Sequence, residues 1–350
     1  MAKKTKPKET KSPAPVKKKK ETKPKEKPKV ICPFCGGEYA SETSMKKHKC
    51  SGQLKSGFMV RFKATAYFKK VIEIINKWCE DAKIRINKDA LIVESTDPGK
   101  VGYIQFTTER SKFSVYNIGK DETSAVIKVP DLKNVMARGE KDDTLTLFYD
   151  TDVMKFTVIF STKTGRKRTF KIGVMDDDDF PDLENSFSKM RDYEWPVYFN
   201  VDPGILEQII KDANVYAEII NFETINDNED INLWTVGPGG SYESEFGTDE
   251  IVNLMIDKPC KSMWSITHLL NVLAIKIMTK ELTFQTDHGR PAILTFELKN
   301  GMEIMYGQAP RAEQGYDDYD EDVDEIEAAV EKNKENEDEE SEDEEEFVDE

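Results

Sequence analysis

Two stretches of this chain repeat one pattern, and the repetition constrains the fold more than any single motif. A helix-spaced segment near 130–139 runs into Leu145-Thr146-Leu147, a turn after Asp150, and Phe156-Thr157-Val158-Ile159-Phe160. A second, near 265–278, runs into Leu282-Thr283-Phe284, a turn at 287–289, and Ile293-Leu294-Thr295-Phe296. From the first Leu to the last Phe the interval is 15 residues in one copy and 14 in the other. Self-similarity of this kind points to two copies of one unit.

Each copy carries two amphipathic segments. At 67–79 the apolar stripe is Phe68, Val71, Ile72, Ile75 and Cys79, with Lys69, Lys70 and Lys77 off it. At 130–139, Pro opens and Gly closes a segment that buries Leu132, Val135 and Met136 and turns Lys133 and Arg138 away. At 203–216, Asp202 is an N-cap and the stripe is Leu206, Ile209, Ile210 and Ala213. At 265–278 it is Ile266, Leu269, Leu270, Leu273 and Ile277. Period-2 runs fill the intervals, seven per half: 83–86, 91–94, 102–107, 124–129, 144–149, 155–160 and 168–174, then 197–201, 219–223, 231–235, 251–256, 281–285, 293–298 and 303–306. The expected class is α+β, two similar domains at 58–174 and 196–312, each with two helices on antiparallel sheets. A connector without clear period, 175–195, joins them and holds Asp176 to Asp179 and Pro181. Four adjacent carboxylates in a loop read more simply as a solvated acidic surface than as a metal site.

Charge divides the chain more sharply than its net value of -16 suggests. Residues 1–57 carry about +12 and residues 313–350 about -20, which leaves about -8 on the middle. Residues 1–30 (Lys, Pro, Glu, Thr) and 313–350 have too little apolar surface to offset their ordering entropy and are expected to be disordered arms. No apolar run reaches the roughly 18 residues of a membrane span, and no secretory signal pattern opens the chain. The expectation is an intracellular protein without a membrane partner. There is no G-x-x-x-x-G-K-[ST] loop and no H-E-x-x-H, and only three His occur, which argues against an enzyme.

Residues 31–51 hold a metal-like constellation. Cys32-Pro-Phe-Cys35 is followed by His48-Lys49-Cys50, so two thiolates, an imidazole and a third thiolate could close a tetrahedral structural Zn2+ site. The spacing departs from the ββα finger in its last interval, and chance cysteines in a linker are the plain alternative. With the basic arm, such a module would add DNA affinity through phosphates or bind protein. Lys17 to Lys20 could be an import signal.

The order of segments from Phe58 to Arg311 resembles the DNA sliding-clamp family of the proliferating cell nuclear antigen type. The likeness is carried by Ser95-Thr96-Asp97-Pro98-Gly99-Lys100-Val101, Ala125 to Val129, Asp142-Asp143-Thr144-Leu145-Thr146-Leu147, Val174-Met175-Asp176, Leu270-Asn271 and Ala309-Pro310-Arg311. The resemblance implies the processivity fold, a six-domain ring, usually of three protomers, with helices lining the hole. It implies duplex DNA, DNA polymerase, other peptide-docking proteins and a clamp loader as partners. Lys69, Lys70, Lys77, Lys133, Arg138, Lys211, His268 and Lys276 are then candidates to touch phosphates without reading bases. Solvated helix faces are the alternative for any one of them. Gln208, Ile275, Glu207 and Asp212 make helices three and four less basic than the family pattern.

The resemblance also implies a groove for a Gln-x-x-aliphatic-x-x-aromatic-aromatic peptide, here formed by Thr96, Val101, Tyr103, Phe180, Pro181, Leu183, Pro291, Gln308, Ala309 and Pro310. Thr96 and Gly307-Gln308 depart from the usual apolar and aromatic residues. Ring closure would pair a basic edge at 166–174 with an acidic one at 241–246. A clamp-derived transcription or checkpoint factor is the competing reading. Localisation would follow the host: nucleus in a eukaryote, cytoplasm or nucleoid in an archaeon, the replication site for a virus.

Overall fold

The computed structural model describes residues 30–31, 38–39, 41–47, 54, 56–62, 65–119, 122–178, 180–225, 230–246, 250–298 and 301–311. Both long tails and the four proposed zinc ligands, Cys32, Cys35, His48 and Cys50, lie outside them. Before the first large domain, β1 (Val30–Ile31) pairs antiparallel with β2 (Glu38–Tyr39), and the short helix α1 (Glu42–Lys47) lies against this hairpin.

The first large unit runs β3 (Phe58–Phe62), α2 (Ala66–Ile75), β4 (Asp81–Ile86), β5 (Ala90–Thr96), β6 (Gly102–Glu109), β7 (Phe113–Ile118), β8 (Thr123–Lys128), α3 (Val129–Met136), β9 (Thr144–Asp150), β10 (Lys155–Ser161) and β11 (Lys167–Gly173). The connector that follows is not the irregular loop its composition suggested, because it holds a helix, α4 (Leu183–Asp192). The second unit repeats the plan: β12 (Val197–Val201), α5 (Pro203–Ala213), β13 (Ile219–Ile225), β14 (Asp230–Gly237), β15 (Gly240–Glu245), β16 (Ile251–Ile256), β17 (Lys261–Ser265), α6 (Ile266–Leu273), β18 (Leu282–Thr286), β19 (Ala292–Leu298) and β20 (Met302–Gln308). Each unit thus has nine strands and two helices among the described residues, two strands more than alternation alone revealed.

The helices form where the pattern places them. The Asp202 side chain accepts the Gly204 N–H at 2.7 Å, capping α5, and Pro occupies the first turn of both α3 and α5, where its missing N–H costs nothing. Phe68, Val71, Ile72 and Ile75 of α2 and Leu206, Ile209, Ile210 and Ala213 of α5 are buried as their spacing requires. Helix α6 departs from its reading. It ends at Leu273 and tightens into a 3-10 turn, Ala274–Ile277, whose three-residue period buries Ile275 and leaves Ile277 65% exposed.

Three antiparallel sheets carry the two units. One has the order β11-β10-β9-β3-β7 and another β15-β14-β13-β17. The largest, β16-β12-β18-β19-β20-β6-β5-β4-β8, takes strands from both units and is continuous through β20 and β6, from Met302↔Thr108 to Gln308↔Gly102. Its core-facing side chains at this seam are large: Tyr306 is fully buried and meets Trp78 edge to face, ring centroids 5.6 Å apart. Gly102 belongs here because a Cβ would lie 3.0 Å from the Tyr306 hydroxyl and 3.1 Å from Trp78.

The loop entering β6 is held by Asp97, whose buried carboxylate accepts the N–H groups of Gly99 (3.0 Å), Val101 (2.8 Å) and Gly102 (2.6 Å). The conspicuous Ser-Thr-Asp-Pro-Gly run is therefore a backbone-fixing device. Asp97→Ala leaves these donors without their acceptor and is expected to lower unfolding free energy by about 2–3 kcal/mol. Urea denaturation of the two proteins tests this, and a midpoint unchanged by the substitution would contradict it.

Candidate nucleic-acid interface and partner groove

The four long helices of the two units lie in one row. Helix α2 packs beside α3, α5 beside α6, and the 3-10 turn after α6 touches both α2 and α5. Along this row Lys69, Lys77, Lys133 and Arg138 make no ion pair among the described residues, and Lys77, Lys133 and Arg138 are exposed. Lys70 pairs with Glu73 of its own helix at 3.3 Å. The first unit therefore presents unneutralised positive charge.

The second unit does not. Glu207 takes both cations that its helix face offers, Lys211 at 2.7 Å and Lys276 at 2.5 Å. Burial alone would raise the Glu207 carboxyl, but the hydrogen bonds from the two ammonium groups outweigh it and hold the pKa below its ordinary 4.5. The glutamate is thus charged at neutral pH, and Lys211 and Lys276 are spent locally. His268 is also turned aside: its Nδ1 lies 3.1 Å from Ser265 Oγ and its Nε2 3.7 Å from Asp97, at the junction between the units.

Each unit ends in an open sheet edge. Strand β11 closes the five-stranded sheet and β15 the four-stranded one, and each has a single hydrogen-bonded neighbour. On β11, Phe170 and Ile172 turn inward while Lys167 and Lys171 are exposed; on β15, Glu243 and Glu245 are exposed. Arg168, the other basic residue of β11, is held within its own unit by Asp143 and Glu140. Two edges with opposite outward charge are suited to pair with each other and poorly suited to pair with themselves.

Part of the expected groove lies on the face of the large sheet away from the helices. Cross-strand neighbours Tyr103, Gly307 and Ile293 form one row over β6, β20 and β19. Phe180, Leu183, Phe187, Met190 and Trp195 of the connector pack there with Tyr103, Ile293 and Met305, as a small cluster separate from the main core. Of the proposed groove residues, Tyr103, Phe180 and Leu183 are brought together. Thr96, across from Tyr103, turns its hydroxyl to the Gly102 carbonyl at 2.9 Å. Val101 and Ala309 are joined by a backbone bond of 2.8 Å, and Pro181, Pro291 and Pro310 are half-buried.

Gln308 does not belong to the groove. Strand alternation turns it to the helix side, where its amide donates to the Ser265 carbonyl at 3.0 Å and its oxygen accepts from the Tyr306 hydroxyl at 3.2 Å. Gly307 and Met305 face outward instead. Phe187, Met190 and Trp195 were missed, although Asp182 as N-cap and apolar residues at 183, 187 and 190 give a helix signal. The adjacent Asp176–Asp179 run and Pro181 masked it. Within that run Asp177 accepts from Ser124 at 2.7 Å and pairs with Lys83 at 3.0 Å, as a tether to the sheet.

Comparison with known proteins agrees with this geometry. Residues 58–180 match the N-terminal domain family of proliferating cell nuclear antigen. The chain is 22% identical over 259 residues to the DNA polymerase sliding clamp of Pyrococcus horikoshii, covering 73% of this chain and 99% of that one. It is also 22% identical over 255 residues to the clamp of the same name from Methanococcus maripaludis, covering 71% and 97%. The proliferating cell nuclear antigen of Thermococcus kodakaraensis shares the fold, with a TM-score of 0.63 at 18% identity over 73% of this chain and 100% of that one. Residues 58–180 thus match the N-terminal domain of that family, and the chain is similar to DNA polymerase sliding clamps over nearly their whole length.

Proposed function

We propose that this protein is a DNA sliding clamp, a non-catalytic ring that encircles duplex DNA and tethers DNA polymerase and other replication and repair proteins to it. The observation that carries the assembly is the pair of open edges, β11 with Lys167 and Lys171 outward and β15 with Glu243 and Glu245 outward, on the two similar units of one chain. A head-to-tail contact of this kind closes a ring when its rotation permits and otherwise runs into a filament. Three two-domain protomers close a ring whose helix rows face the hole. Negative-stain images of the full-length chain should show closed rings of six similar lobes, and isolated chains or open filaments would overturn the assembly.

The hole grips DNA asymmetrically in this account. Lys69, Lys77, Lys133 and Arg138 meet phosphates, whereas Lys211 and Lys276 are held by Glu207. Glu207→Gln releases both, so DNA binding should tighten and the slope of log K against log salt should steepen by about one to two, at roughly 0.9 per added phosphate contact. Lys211→Ala in the native chain should leave the slope unchanged. Titrations at several salt concentrations distinguish these results, and equal slopes for E207Q and native protein would remove Glu207 from the account.

The N-terminal module is proposed to hold one structural Zn2+ through Cys32, Cys35, His48 and Cys50. In support, β1, β2 and α1 follow the strand, strand, helix order of small zinc modules; Cys32 and Cys35 fall between the strands in sequence, and His48 follows α1 directly. The thiolate and imidazole donors suit a four-coordinate structural site. This module and the lysine-rich arm add phosphate contacts outside the ring. Elemental analysis should find one zinc per chain, lost in Cys32→Ser/Cys35→Ser. The same zinc content in both proteins would contradict the site.

A further inference from the structure

The partner groove described above is not open. Helix α4 lies across it, and the contact is close: a Cβ on Gly307 would fall 2.8 Å from Met190 Cε and 2.9 Å from its Sδ, so the thioether rests on bare backbone. Phe187 is fully buried in the same place. The segment after the helix continues the cover. Trp195 Nε1 donates to the Met190 carbonyl at 2.9 Å, and the Tyr193 hydroxyl donates to Asp287 at 2.5 Å.

What holds α4 at its two ends is different in kind. Arg85 reaches Glu184 at 2.8 Å, and Arg191 reaches Gln105 and, at 3.5 Å, Glu303. Glu184 and Arg191 are 59% and 41% exposed while their partners Arg85 and Gln105 are buried, so each tie has one end in solvent and is partly screened. The apolar contact is also a satellite of the main core. Arg85 and Gln105 each also bond Glu94, so they keep a partner when α4 leaves, and a small cluster fastened this way suits a segment able to leave without unfolding its domain.

We propose that α4 is a displaceable cover: in the free clamp the chain's own connector helix fills the partner groove, and a partner enters by replacing it. This rests on the reading of that face as the partner groove. The resident shows what the groove accepts, an apolar side chain and an aromatic three residues later, as in Met190 and Tyr193, on a short helical peptide. Because α4 is tethered at both ends, its effective concentration at the groove is high, and a free peptide of equal intrinsic affinity binds poorly. Loosening α4 therefore raises affinity for partners.

Two labelled peptides test this by fluorescence anisotropy on the full chain: a copy of residues 182–195, and a synthetic peptide of the Gln-x-x-Leu-x-x-Phe-Phe pattern. The variants are Glu184→Ala/Arg191→Ala, which cuts the polar ties of α4 and leaves Arg85 and Gln105 bonded to Glu94, and Met190→Glu, which expels the thioether from Gly307. Both peptides should bind each variant at least about fivefold more tightly than the native chain, with faster amide exchange in α4 and an unchanged main melting transition. If the patterned peptide binds native and variant chains equally, the groove reading stands and the cover is wrong. If neither peptide binds any intact variant, the groove reading falls and the cover falls with it.

Discussion

The pairing of β20 with β6 is the interaction on which the rest of the structure depends. It joins the last strand of the second unit to the fourth strand of the first, making one nine-stranded sheet from two domains. Its helix side holds Tyr306, Trp78 and Gln308, which lock the seam from within. Beyond the strand, Ala309 donates to the Val101 carbonyl and Arg311 to the Met263 carbonyl, so the segment after β20 is stitched into both units. The helix row, the two open edges and the outer groove take their mutual positions from this seam. A protomer hinged there would present the same residues and could not close a ring.

Much of this was legible because burial on a sheet or helix imposes a period. The alternation in β4, β5, β6, β9, β10 and β19 and the stripes of α2 and α5 required no tertiary information. The elements that escaped or were misread did so for separate reasons. In β17, Ser262 takes a buried slot because its hydroxyl finds the Asp287 carbonyl, so the pattern there reads as polar. Strand β15 has only one half-dressed face, and its existence came from the family likeness. The end of α6 was misread at Ile277 because a change of helical period is invisible in a spacing argument.

The candidate site shows the same division. Which lysines lie on helices was readable, but which of them are neutralised was not, because Glu207 meets Lys276 from 69 residues away. Gln308 was placed in the groove by likeness to a motif, while strand parity sends it inward. Helix α4 was concealed by its own composition: a charged, polar helix with apolar residues only at 183, 187 and 190 has little signal until the groove beneath it is seen. Charge therefore tells of partners only after its local pairing is known. With Lys211 and Lys276 held by Glu207, the proposed DNA-binding cations that stay unpaired among the described residues lie on the first unit.

The central claim is that the chain holds DNA by enclosing it. After loading onto nicked circular duplex and a high-salt wash, the protein should stay on the circles and be lost when they are cut once. Equal retention on circular and linear DNA would mean that surface charge, and not a closed ring, does the holding.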